Sequence, residues 1–125
     1  MTERTASWDL KVDRGPNWLF VKLRQPPRNI AGEPVPLADE LWNLLQQHFT
    51  SRMVLELDEV ERLQSWMMGQ LVSLNKRVAN HGGVLRLCGL NKASSEALKA
   101  SRLDHCLPIF QDRHEAVGVR PRQPR

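Results

Sequence analysis

The chain has 125 residues, enough for one compact domain around a single core, and its 41% hydrophobic and 26% charged content are ordinary for a globular protein. No apolar run approaches the roughly 20 residues that span a bilayer, and residues 1–7 lack the apolar core of a secretion signal, so the sequence predicts a cytoplasmic protein without membrane insertion. The net charge of +4 does not call for nucleic acid: Arg120, Arg122 and Arg125 stand beside Pro121 and Pro124, and without those arginines the body carries only +1.

Residues 1–7 read as a flexible N-terminus, 8–117 as the domain and 118–125 as a disordered basic Pro/Arg tail. Residues 8–12 alternate apolar and polar side chains, as a half-buried strand does, and 18–23 form a second run of β-favouring residues. Gly15 and Pro16 break the chain between them, which predicts a hairpin. Residues 25–36 carry four prolines and read as a loop, with Pro36 opening a helix. In that helix Leu37, Leu41, Leu44, Leu45 and His48 share one face, which Trp42 and Phe49 widen. A strand follows over 52–58, then a helix from about Trp66 to Asn80 with Met67, Leu71, Leu74 and Val78 as its apolar stripe. Gly82 and Gly83 end that helix. Residues 84–88 form a strand and 92–102 a helix capped by Asn91 or Ser94; 107–110 form a last short strand and 112–117 a terminal helix. Strands alternating with helices predict an α/β fold with a mostly parallel sheet and right-handed crossovers.

Ser65 stands at the junction of the fourth predicted element and its helix, after the polar stretch 59–64. Backbone N–H groups at such a helix start lack intrahelical partners and carry positive partial charge, so the site can accept an added phosphate; the same serine can act simply as a neutral N-cap. Trp66 and Met68 fit the apolar stripe of their helix poorly, so they either pack under the loops of the hairpin or face a partner.

The strand–turn–serine–helix block, the stretch His81-Gly-Gly-Val-Leu-Arg-Leu-Cys-Gly-Leu90 and the ending Leu103-Asp-His-Cys-Leu-Pro-Ile-Phe110 together resemble the STAS domain of bacterial anti-sigma-factor antagonists. The likeness covers residues 50–117 by motif and 8–49 by element order. It implies a protein-binding regulator of transcription, not an enzyme, whose partner is an anti-sigma factor that is also a serine kinase. It places the phosphorylatable position at Ser65, with Gly69 one turn into the helix. The acidic residue that precedes the serine in that motif is here Gln64, and the small residues after it are Trp66 and Met67. A kinase must bring a phosphoryl group to about 3 Å from the hydroxyl, and this added bulk obstructs that approach. The docking surface is therefore expected to comprise Asp58, Glu59, Gln64, Ser65, Trp66, Met68 and Gly69, switched by phosphorylation or working without it as a scaffold or assembly subunit. A homo-oligomer fits either reading.

No cofactor is expected. Cys88 lies in an apolar strand, His105 and Cys106 lack zinc-ligand spacing, and His48, His81 and His114 are scattered. Asp58 and Glu59 have no matching base or nucleophile and read as turn and rim residues.

Overall fold

A computed structural model describes residues 2–4, 9–24 and 36–118. The strands are β1 (Thr2–Arg4), β2 (Asp9–Arg14), β3 (Leu19–Leu23), β4 (Arg52–Glu56), β5 (Val84–Cys88) and β6 (Ile109–Phe110). The helices are α1 (Leu37–Gln47), α2 (Ser65–Asn80), α3 (Lys92–Ala100) and α4 (Arg113–Gly118). The described strands form one sheet in sequence order, β1-β2-β3-β4-β5-β6. The first three pair antiparallel, and β3, β4, β5 and β6 pair parallel. This is the expected α/β architecture. The hairpin closes tightly, with the Gly15 amide donating to the Trp18 carbonyl at 2.8 Å.

Three differences from the sequence expectation stand out. Thr2–Arg4 pairs with β2 as an edge strand, within a segment expected to be flexible. The first long helix ends at Gln47, so Phe49 leaves its apolar face: it takes φ 53° and is 93% exposed. Helical periodicity places a side chain only while the helix continues. Ser65 is the first helical residue of α2 rather than its cap; that position falls to Gln64, which makes no side-chain capping bond. The proline-rich segment 25–35 and residues 119–125 of the expected tail lie outside the described residues.

The period-two alternation of the strands sorts two faces. Met53 and Leu55 of β4 join the main core with Leu41, Leu45, Leu71, Leu74 and Leu98 from α1, α2 and α3. Val54 points the other way and clusters with Cys88 and Ala116 under α4, flanked by Trp18, Phe20 and Phe110. Two glycines shape the strand ends. Gly82 has φ +75°, and a Cβ on Gly83 would come within 2.2 Å of the Ser51 carbonyl oxygen, so β5 lies against the residue before β4 only if position 83 has no side chain.

Candidate docking surface at the start of α2

The loop 57–64 carries the chain from the end of β4 to α2. Leu57, Val60 and Leu63 are buried and peg the loop to the main core. Polar bonds from the start of α3 hold its backbone. The Asn91 side chain accepts from the Ser94 amide at 2.8 Å, capping α3, and donates to the carbonyls of Glu61 at 2.7 Å and Val60 at 3.3 Å. The hydroxyl of Ser94, fully buried, accepts from the Leu63 amide at 3.1 Å. Of the two expected caps, Asn91 therefore fills the role and Ser94 ties α3 to the loop. Gly89, with φ +74°, lets β5 turn against Asp58, since a Cβ there would stand 3.1 Å from the Asp58 Cβ.

The loop so held presents Asp58, Glu59, Gln64, Ser65 and Trp66 to solvent, with Gly69 exposed one turn further along. Asp58 is paired with Lys22 at 3.1 Å, and that hydrogen bond raises the Lys22 pKa. Trp66 is 46% exposed, and its indole Nε1 donates to Gln64 Oε1 at 2.8 Å, which restrains the ring at the surface. Met68 is 5% exposed and belongs to the main core, which corrects its expected place on a partner surface. Val60 and Leu63 of the loop are buried in that same core.

The first helical hydrogen bond of α2 runs from the Met68 amide to the Gln64 carbonyl at 3.0 Å. The amides of Ser65, Trp66 and Met67 precede it, and the first turn holds no acidic side chain. This helix end therefore carries positive partial charge beside the exposed Ser65.

A second polar group lies on the α4 side of the sheet, and sequence reasoning gave it no role. Arg113 pairs with Glu56 at 2.6 Å and Asp13 at 3.0 Å, and stands 4.2 Å from the Phe20 ring centroid. The bond from Arg113 holds the Asp13 carboxyl below its ordinary value. Arg86, 4% exposed, donates to the Ala116 carbonyl and packs over the rings of Trp18 and Phe110. The signal was a lone cation in an apolar strand; its aromatic partners are distant in sequence. A cavity of about 510 Å³ opens at the carboxyl ends of β4 and β5, lined by Glu56, Asp58, Cys88, Gly89, Arg113 and His114 among others. Burial pushes the Cys88 thiol up to about 12, so it is no nucleophile at neutral pH. Among the described residues no three His, Cys, Asp or Glu side chains gather as metal ligands, and no helix is long and apolar enough to cross a membrane.

The sequence profile of the STAS domain matches residues 35–116, most of the chain. The chain belongs to the STAS domain family. Solved STAS structures share its architecture. An RsbS variant of Moorella thermoacetica superposes with a TM-score of 0.70 at 12% identity, over 87% of this chain and 92% of that one. A chain of the stressosome, a signal integration and transduction hub, matches with a TM-score of 0.63 at 12% identity, over 86% and 93%. An anti-sigma-factor antagonist domain protein from Planctomyces limnophilus matches with a TM-score of 0.59 at 18% identity, over 86% and 94%. At such identities the likeness establishes the fold alone. No curated relative matches the chain. Within the STAS domain, the loop 57–64 and the start of α2 belong to one of the three stretches that carried the sequence resemblance.

Proposed function

We propose that this STAS domain is a cytoplasmic, non-catalytic regulator of the anti-sigma-factor antagonist type. It docks a protein partner through the surface formed by Asp58, Glu59, Gln64, Ser65, Trp66 and Gly69. The observation that carries the reading is the exposed Trp66, restrained by Gln64 beside Ser65 on a loop clamped by Asn91 and Ser94. A half-exposed indole with its N–H already satisfied loses little rotamer freedom on docking, which is what an interface anchor requires.

The partner is an anti-sigma factor with serine kinase activity, and a phosphate on Ser65 switches the contact. The start of α2, with no capping side chain and no acidic residue in its first turn, supports this, since an added dianion gains from the helix dipole there. The test incubates the protein with a candidate serine kinase and ATP, follows intact mass, and measures partner binding by calorimetry. One phosphate lost in Ser65→Ala, with weakened binding by Ser65→Asp, supports switching. No added phosphate and unchanged binding by Ser65→Asp refute it.

A second reading makes the domain a phosphorylation-independent scaffold or assembly subunit, open to homo-oligomers. The Gln64–Trp66 bond favours it, because it holds bulk beside the serine that a kinase must reach. It predicts that Ser65→Ala leaves binding intact, whereas Trp66→Ala weakens it about thirtyfold, as for an interface tryptophan contributing about 2 kcal/mol. Equal binding by Trp66→Ala refutes both readings of this surface.

A further inference from the structure

We propose that the end of the domain opposite Ser65 is a second docking surface, shaped for an acidic protein segment that carries one apolar anchor residue. It does not rest on the reading of the Ser65 surface.

Phe49 marks the place. After α1 the Thr50 amide donates to the Leu45 carbonyl at 3.1 Å and the Phe49 amide to the Gln46 carbonyl at 3.3 Å, closing the helix with Phe49 in the left-handed region at φ 53°. Glycine suits that position, and a bulky side chain there is disfavoured. The phenylalanine gains no compensating burial, being 93% exposed. Neither the backbone nor the core accounts for an aromatic at position 49. The corner is held in place, because the Arg14 guanidinium donates to the carbonyl of His48. A cavity of about 330 Å³ lies alongside, lined by Trp42, Leu45, Thr50, Val78 and His81 among others. The Trp42 and His81 rings are 4.6 Å apart and form an aromatic wall.

Charge selects the occupant. Arg14 and Arg52 are exposed at this end and have no ion-pair partner among the described residues. Lys76 is exposed in the last turns of α2, where Arg77 pairs with Asp39. The bond from Arg86 to the Ala116 carbonyl sets the C-terminal end of α4 beside Trp18, over whose ring Arg52 also lies. An anionic partner is drawn to such an end. The cavity beside Phe49, walled by Trp42, Leu45 and Val78, gives one apolar side chain a place to seat, which favours a protein segment over nucleic acid.

The test uses the full chain and fluorescence polarisation. The probe is a labelled synthetic peptide of about fifteen residues, rich in Asp and Glu with one central leucine. Its controls replace that leucine with serine or substitute a single-stranded oligothymidine of equal length. The surface predicts saturable binding that weakens as salt rises and falls about tenfold when the leucine is removed. Phe49→Gly, which relieves the backbone and so keeps the fold, and Arg52→Glu each weaken it about tenfold as well, whereas Trp66→Ala leaves it unchanged. Absent binding, equal binding of the serine peptide, tighter binding of the oligothymidine, or full binding by Phe49→Gly overturns the proposal. Loss with Trp66→Ala would move the peptide to the Ser65 surface and overturn it too.

Discussion

Replacing Asn91 tests whether α3 holds the docking loop. Its side chain does two jobs: it caps α3 through the Ser94 amide at 2.8 Å, and it donates to the loop carbonyls of Glu61 at 2.7 Å and Val60 at 3.3 Å. A cap lost to alanine costs about 1 kcal/mol. Each net hydrogen bond contributes about 0.5–1.5 kcal/mol, and the longer bond to Val60 belongs at the lower end of that range. Asn91→Ala should therefore lower stability by about 2–3 kcal/mol, a large share of the roughly 5–15 kcal/mol of a typical domain. Asn91→Ser separates the two jobs, because serine caps a helix as well as asparagine but is too short to reach the loop. It should lose only the loop share, about 1–2 kcal/mol. Urea denaturation gives the stability changes, and amide hydrogen exchange shows where they act. Amides of residues 60–64 should exchange faster in both variants, and the first turn of α3 only in Asn91→Ala. If Asn91→Ser keeps parental stability within about 0.3 kcal/mol and unchanged loop exchange, the clamp contributes nothing and the reasoning fails.

Phe49→Gly should raise stability by about 1 kcal/mol, since it removes a left-handed non-glycine residue whose side chain is 93% exposed; a fall in the thermal midpoint would contradict the strain at φ 53°. Cys88, with its thiol pushed up to about 12, should resist a thiol reagent at pH 8 in the native state while exposed Cys106 reacts, so rapid titration should find one thiol rather than two. Asp13 is held by Arg113 below its ordinary value of 3.8, so its folded pKa lies under its unfolded one. That contribution is present above the unfolded value and is lost as pH falls through the folded one; Asp13→Asn should flatten this part of the acid limb of stability, and an unchanged limb would refute the pairing.

Much of the fold was legible because local rules sufficed. Alternation in the strands, the apolar stripe of α2 and the glycines after it placed most elements within a few residues of where they lie. The open start of α2 beside Ser65 could be anticipated the same way, since every helix leaves its first amides unpaired.

What depends on residues far apart in sequence required the tertiary structure. Trp66 and Met68 looked alike as misfits to the stripe, yet Trp66 is restrained at the surface by Gln64 and Met68 is buried in the main core with Val60 and Leu63. Phe49 looked like core until α1 ended two residues before it. The pairing of Arg113 with Asp13 and Glu56, and the packing of Arg86 against Trp18, Phe110 and α4, arise only where the sheet brings distant segments together. Periodicity records which side of an element is apolar. Which neighbour covers that side, and where the cover stops, is decided by packing between elements.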